Sequence, residues 1–250
     1  MHATLIDRVL VILESNNVSD LNELPPGQYE LDTFPRFGLS QFATRFPTQT
    51  RLIQLKITGD VEETLLVSDE LRDLPRIDQV SDFHCVTTWT HRSLRWSGFR
   101  FSDFFERIVE PGARPARDAT LVVLRSQDGY VASLPLEDLL ADTVLFADHL
   151  NGKPLTVAHG APLRLVAPAH YGYKNPKHVN AVEFWRVAPR RRSVPFRFMD
   201  HPRARVAQEE RGTGVPGWLL RCLYRPLVRP GIWLFQRALD RHSSIKSGID

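Results

Sequence analysis

Two cysteines in 250 residues, Cys85 and Cys222, are too few for a disulfide framework and cannot supply a four-cysteine zinc site. That scarcity predicts a reducing compartment. Long apolar runs are missing too, because arginine recurs through the most apolar late segment and nothing approaches the roughly 20 apolar residues that span a bilayer. At the amino terminus, Leu5-Ile6 and Val9 to Leu13 are broken by Asp7, Arg8 and Glu14, without the apolar centre and small-residue cleavage site of a signal peptide. No export by the general pathway is expected. The expected location is the cytoplasm, with peripheral attachment to the inner membrane face left open. No Gly-x-Gly-x-x-Gly follows a strand, which disfavours dinucleotide binding of the Rossmann type. No Cys-x-x-Cys-His is present, so no haem is expected in this chain. What remains, 42% apolar and 24% charged residues, is an ordinary globular composition, enough for one large domain or two small ones.

The net charge of +3 hides an asymmetry. Residues 1–189 hold 19 Lys/Arg against 24 Asp/Glu, whereas residues 190–250 hold 13 against 5. The tail is basic, which suits an acidic partner or phospholipid headgroups; nucleic acid is not expected. An arginine-rich extension that helps packing fits equally well. Within the tail, Leu219, Leu220, Leu223, Leu227, Ile232, Leu234, Phe235 and Leu239 alternate with Arg221, Arg225, Arg229 and Arg237. Pro226 and Pro230 predict a break into short amphipathic helices lying on the core, on a partner or on a membrane surface.

Apolar spacing predicts a helix within residues 1–20, then a long irregular segment over residues 21–47 with four prolines and two glycines, lying over something. Arg51 to Thr58 alternates with period two and ends at Gly59-Asp60, a strand and a turn. Further strands are expected at 80–88, 120–125, 129–133, 162–167 and 180–188, with short helices near 101–109 and 135–140. Irregular interleaving of strands and short helices predicts an α+β fold with mixed sheets.

The densest chemical cluster is Ser81-Asp82-Phe83-His84-Cys85-Val86-Thr87-Thr88-Trp89-Thr90-His91-Arg92. A histidine beside a cysteine invites a cysteine-hydrolase reading. On a strand, however, neighbours point to opposite faces, so His84 would face away from Cys85; His91, His159, His170 or His178 would have to approach through space. Zinc spacing is absent. A buried cysteine acting as a small apolar residue stays open as the bland alternative.

Phe83-His84-Cys85-Val86-Thr87-Thr88-Trp89 resembles the metal-ligand segment of the sulfite oxidase superfamily, the oxidoreductase molybdopterin-binding domain. Asn151-Gly152-Lys153-Pro154-Leu155, Gly160-Ala161-Pro162-Leu163-Arg164-Leu165 and Tyr171-Gly172-Tyr173-Lys174-Asn175-Pro176-Lys177 follow in the family's order. Trp96-Ser97-Gly98 and the stretch from Val122 to Ser126 before Asp128-Gly129-Tyr130 join them. The resemblance spans roughly residues 50–188. It implies a sulfite-oxidase-type molybdopterin-binding fold with mixed β-sheets and short helices, plus a basic C-terminal helical tail. It also implies a molybdenum-molybdopterin cofactor with Cys85 as catalytic metal ligand, and Ser126, His159, Arg164, Lys174, Asn175, Pro176 and Lys177 as cofactor-binding residues, Asn175 and Pro176 through their backbone. Cofactor chemistry agrees: a thiolate is a soft ligand for a soft metal, and arginine with lysine suits a pterin phosphate.

The resemblance is imperfect after the cysteine, where Val86-Thr87-Thr88-Trp89-Thr90 stands in place of the arginine-rich stretch of animal and plant sulfite oxidases. This segment is closer to the methionine-sulfoxide reductase catalytic subunit. Trp89, His91 and Arg92 are expected at the mouth of the site. The leading expectation is a molybdenum-dependent oxidoreductase transferring an oxygen atom to or from a small, sulfur-containing substrate, with electrons passed to or from a separate protein or carrier. The alternative is a non-catalytic cofactor-binding or scaffold protein that engages a partner through its basic tail. The expected division is an N-terminal helix and covering segment (1–49), the molybdopterin-binding domain (50–189) and the basic tail (190–250).

Overall fold

A computed structural model of the chain describes residues 23–187 and 200–247. The expected helix within 1–20 lies outside them. Two mixed sheets form the frame, as the irregular strand pattern predicted. In one, β2 (Leu55–Gly59) lies between β3 (Leu65–Val67) and β11 (Val179–Trp185), and β11 continues to β6 (Leu121–Ser126) and β7 (Val131–Pro135). Only β2 and β11 run parallel here.

The second sheet is built on β5 (Trp89–Arg100), twelve residues long. Along one edge it pairs antiparallel with β4 (Arg76–His84). Along the other, its first two residues pair parallel with β1 (Tyr29–Glu30) and its last five residues with β8 (Leu145–Leu150). Beyond β8 lie β9 (Lys153–Pro154) and β10 (Arg164–Val166). The register slips at Ser97/Gly98, and Gly98 passes so close to β8 that a Cβ there would stand 1.9 Å from the Phe146 carbonyl oxygen. Only glycine admits that approach.

Between the sheets, Leu55, Ile57, Val122, Leu124, Val182 and Phe184 meet Phe99, Phe146 and Leu165 in one core. Phe101 and Phe104 of α1 (Phe101–Phe104) plug it, and α1 unwinds directly into a π-helical stretch, Phe105–Ala113. The second expected helix is α2 (Leu136–Leu139).

Beyond the gap, residues 200–211 do not behave as a separate tail. His170 bridges Arg205, the Tyr171 N–H donates to the Ala204 carbonyl (2.9 Å), and the Val206 N–H donates to Ala169 (2.9 Å). Two helices follow, α3 (Gly217–Tyr224) and α4 (Val228–Ser247), linked by a 3-10 turn at Arg225–Leu227. Pro226 marks the break that the sequence predicted. Pro230 does not break the chain: it occupies the first turn of α4, where no intrahelical partner awaits its missing N–H. The buried stripe Leu220, Tyr224, Val228, Phe235 and Ala238 recurs at helical spacing. Part of it lands on the irregular segment, where Phe235 stacks on Phe37 (6.1 Å) and packs with Ala43 and Phe46.

Gly98→Ala forces a methyl into the β8 backbone. The expected cost is about 3 kcal/mol, the upper end of overpacking penalties, seen as a fall in Tm of several degrees by thermal denaturation; an unchanged Tm contradicts the close approach.

Candidate active site

Cys85 lies in the connection between β4 and β5, at the tip of a hairpin. Its N–H donates to the Trp89 carbonyl (2.8 Å) and the Thr88 N–H returns to its own carbonyl (3.1 Å). The turn carries strain, because Thr88, a buried β-branched residue, is held at φ 87°. Segments remote in sequence hold it. The Tyr29 N–H donates to the Thr88 carbonyl (2.9 Å), and Gln28 Nε2 donates to the Cys85 carbonyl (3.2 Å). From the other end of the chain, the fully buried Arg211 donates to the carbonyls of Val86 (2.6 Å) and Pro26 (2.9 Å), pairs with Glu209 (3.2 Å) and lies over the Tyr171 ring.

The thiol itself is 3.1 Å from Thr87 Oγ1, and burial pushes its pKa up. His84 is turned to Thr90, with Nδ1 2.8 Å from its hydroxyl; the strand ends at His84, so it is the turn after it, not the strand alternation expected from sequence, that carries Cys85. Cys85 opens on a cavity of about 150 Å³ walled by Phe34, Phe37, Phe83, Trp89 and Phe235, with Asp128, Tyr130, Lys177 and His178 as its polar lining. The His178 Nδ1 faces the Ala161 carbonyl (2.6 Å) and so carries its proton there, leaving Nε2 bare; burial pushes its pKa down to about 4.

Arg164 opens β10 and is fully enclosed. Its guanidinium lies 4.8 Å from Trp96, 5.4 Å from Phe83 and 5.9 Å from Phe34. Nη1 donates to the His159 carbonyl (3.0 Å), but Nη2 has no hydrogen-bond partner among the described residues. Burial alone lowers its pKa to about 9. Lys177 is its neighbour across Gly160: at φ 115°, a Cβ on Gly160 would press on Arg164 Cβ (3.0 Å) and Lys177 Cβ (3.2 Å). Lys177 Nζ donates to the Ala158 carbonyl (3.1 Å), and burial followed by the charge of Arg164 pushes its pKa down to about 7. Among the described residues neither cation has a carboxylate within ion-pair distance.

The other sequence-predicted residues divide. The His159 ring stacks on Phe34 (5.0 Å) and is held neutral, with its pKa near about 4 through burial and the charge of Lys177. Ser126 at the end of β6 has a buried hydroxyl with no partner among the described residues. Asn175 and Pro176 line the cavity, but their polar groups are already engaged: the Asn175 side chain bonds Ala167, His170 and Tyr171, its N–H returns to Gly172, and the Pro176 carbonyl accepts from Leu165. Lys174 is not brought to the cavity, because its ammonium is fastened to Asp200 (2.9 Å) and the Ser133 carbonyl (3.0 Å). At the expected mouth, Trp89 is buried in the cavity wall, His91 donates to the Leu31 carbonyl (2.7 Å), and Arg92 is 3.5 Å from Glu30. Sequence reasoning missed Gln28, Phe34 and Arg211. Gln28 and Phe34 sit in a segment without periodicity, and Arg211 is one arginine among thirteen basic residues of the tail.

The donor set limits what metal chemistry fits. No group of three or more His, Cys, Asp or Glu side chains suited to a metal exists among the described residues. A metal bound at Cys85 must bring most of its ligands with it, as a dithiolene chelate does, and the uncompensated Arg164 and Lys177 suit the phosphate on such a chelate.

The model of the oxidoreductase molybdopterin-binding domain matches residues 43–191. Uncharacterized oxidoreductase YuiH of Bacillus subtilis is 33% identical over 162 residues, covering 64% of this chain and 78% of its own. The protein-methionine-sulfoxide reductase catalytic subunit MsrP of Campylobacter jejuni is 29% identical over 180 residues (65% and 58%). A putative protein-methionine-sulfoxide reductase subunit of Azospira oryzae, YedZ1, is 33% identical over 130 residues (52% and 47%). The chain therefore spans little more than half of MsrP and under half of YedZ1. Among solved structures, the sulfane dehydrogenase SoxCD from Paracoccus pantotrophus aligns with a TM-score of 0.47 at 21% identity, over 54% of this chain and 38% of that one.

Two predictions follow from the geometry. In a Cys222→Ser background, Arg211→Met releases the hairpin tip and leaves Glu209 only its longer contact with Arg221, costing about 3 kcal/mol as for a broken buried pair. Alkylation of Cys85 by iodoacetamide is then several-fold faster; an unchanged rate removes Arg211 from the site. Lys177 has a folded pKa of about 7, below its ordinary 10.5. Between those values the unfolded chain binds more protons, so stability of the cofactor-free protein rises as pH increases through that window. Lys177→Met abolishes that rise in denaturant titrations at matched pH; an identical pH profile rejects the buried ammonium as its source.

Proposed function

We propose, from the premise that the chain belongs to the oxidoreductase molybdopterin-binding domain family, that it transfers an oxygen atom to or from a small uncharged sulfur compound. In class it is a molybdopterin-dependent oxidoreductase. The observation that carries the assignment of its site is the enclosed Arg164, whose Nη2 has no partner among the described residues, with Lys177 beside it in the wall of the cavity onto which a single thiol opens.

When bound, the cofactor supplies a redox metal able to take up or release two electrons as oxygen is exchanged with substrate. The chain does the rest. Arg164 Nη2 and Lys177 Nζ hold the pterin phosphate by charge-assisted hydrogen bonds, with the Ser126 hydroxyl and His159 as polar contacts. Phe34, sandwiched between His159 and His91, excludes water from the guanidinium. Cys85 offers Sγ from a hairpin fastened on three sides, and the Thr87 hydroxyl orients it. His178 Nε2 is a neutral acceptor in the wall. Asn175 and Pro176 shape that wall, and Lys174 fastens the loop behind it.

The cavity supports an uncharged substrate over sulfite. Its wall is largely aromatic, and its Arg36 is spent on the carbonyls of Phe42, Ala43 and Arg45. The name of the relative MsrP points the same way, to a sulfoxide. Electrons come from, or go to, a separate protein or diffusible carrier.

The test is molybdenum by elemental mass spectrometry and pterin by fluorescence after oxidative release, on protein from a host that makes the cofactor. Near-stoichiometric amounts of both are expected, lost together in Arg164→Ala, whereas Cys85→Ser keeps the pterin and loses nearly all turnover. With a reduced dye, an alkyl sulfoxide is reduced, and sulfite is not oxidised by the dye's oxidised form. Folded protein carrying neither molybdenum nor pterin returns the chain to the scaffold reading; turnover of sulfite alone overturns the substrate assignment.

A further inference from the structure

The C-terminal helices have a second face that is exposed among the described residues. Leu219, Leu223 and Leu227 follow one another at i, i+4 and i+8 across α3 and the turn after it, 39%, 58% and 56% exposed. Trp218 precedes them on α3 and Trp233 stands on α4, 57% and 59% exposed. Between Gly217 and Leu239 the chain has four arginines and no acidic residue. Arg221 reaches back to Glu209 (3.5 Å), while Arg225, Arg229 and Arg237 are exposed, Arg237 lying over the Trp233 ring.

We propose that this face seats the protein on the surface of an anionic phospholipid bilayer, with the helices lying in the interface. Trp218 and three leucines exposed at helical spacing, with a further exposed tryptophan on the next helix, are more than scattered surface residues and call for an occupant. Its chemistry selects among occupants. No helix among the described residues is long and apolar enough to cross a membrane, so the helices lie on the bilayer rather than span it. Tryptophan prefers the headgroup level, leucine the acyl boundary below it, and arginine stems reach back to lipid phosphate. A second copy of the chain is disfavoured, since a two-fold contact brings this patch against itself and sets exposed arginines against exposed arginines.

The experiment uses the full-length, cofactor-loaded protein with vesicles of phosphatidylcholine alone or with one third phosphatidylglycerol. Sedimentation is expected to show about a hundredfold tighter binding to the anionic vesicles, the combined effect of three exposed arginines near such a surface. High salt removes most of that preference. Lipids brominated in the acyl chain quench the emission of Trp218 and Trp233, and Trp218→Phe with Trp233→Phe removes the quenching. Leu223→Glu with Leu227→Glu, at exposed positions, leaves the circular dichroism spectrum intact and weakens vesicle binding at least about tenfold. Equal binding to both vesicle types, or binding indifferent to the leucine substitutions, overturns the proposal. So does a concentration-dependent dimer that those substitutions abolish in the absence of vesicle binding, which assigns the face to a second copy.

Discussion

A guanidinium enclosed by protein without a counter-charge is the constraint on which the rest of this structure depends. Taking such an ion from water costs several kcal/mol even after relaxation. The three rings around Arg164 return part of this, at about 0.5–2 kcal/mol for each cation–π contact. The His159 carbonyl returns a little more. None of these supplies Nη2 with an acceptor, and Lys177 across Gly160 adds a second positive charge to the same place. On the proposed function, an anion bound there repays the cost that the empty site carries at Arg164. That is why Gly160 must lack a side chain and why Phe34 closes over the cation from a segment more than a hundred residues away.

The thiol poses the complementary problem. A hairpin tip is ordinarily the loosest part of a sheet, yet a thiol that serves as the proposed metal ligand must be held to within a fraction of an ångström. Here the tip holds a strained Thr88 and is pinned from both ends of the chain, by Gln28 and Tyr29 on one side and Arg211 on the other. A hydrogen bond contributes about 1 kcal/mol and one from a charged donor about 1.5–3. Together these contacts outweigh the strain of one residue, about 1–3 kcal/mol. The matched domain ends at residue 191, but the site's support does not. Residues 200–211 belong to the core mechanically, whatever the charge of the tail suggests.

Legibility in the sequence followed the range over which each feature is determined. The mixed α+β frame, both short helices and six of the strands were visible as local periodicity, and the cysteine, arginine and lysine as ordered motifs. The longest strand, β5, was not read, although Ser93-Leu94-Arg95-Trp96-Ser97 alternates outward and inward as a strand should. Its residues had been weighed for chemistry rather than for period. Lys174 and Lys177 look equivalent in sequence; only the arrival of Asp200 in space separates the fastened lysine from the one left for a ligand. Arg211 carried no local sign at all, since what distinguishes it from other tail arginines is the two carbonyls it meets. Pro230 departs from the expectation because a proline's effect depends on its place in the helix: the turn at Arg225–Leu227 restarts the helix at Val228 and leaves Pro230 in its permissive first turn.

The C-terminal helices draw these threads together, because their two faces answer to different solvents. The inner face places Val228 against Cys85 and Trp89 and Phe235 in the cavity wall, so it must be apolar for the site to stay dry. The outer face has no such duty, and a helix that only needed to be soluble would carry mixed charges there, as most surface helices do. Instead it carries leucine, tryptophan and arginine without an acid between Gly217 and Leu239. Phe235 on the inner face stacks on Phe37, and Phe37 meets the Trp89 ring edge-on, so the same helix that turns Trp233 and Arg237 outward holds the segment that covers the thiol.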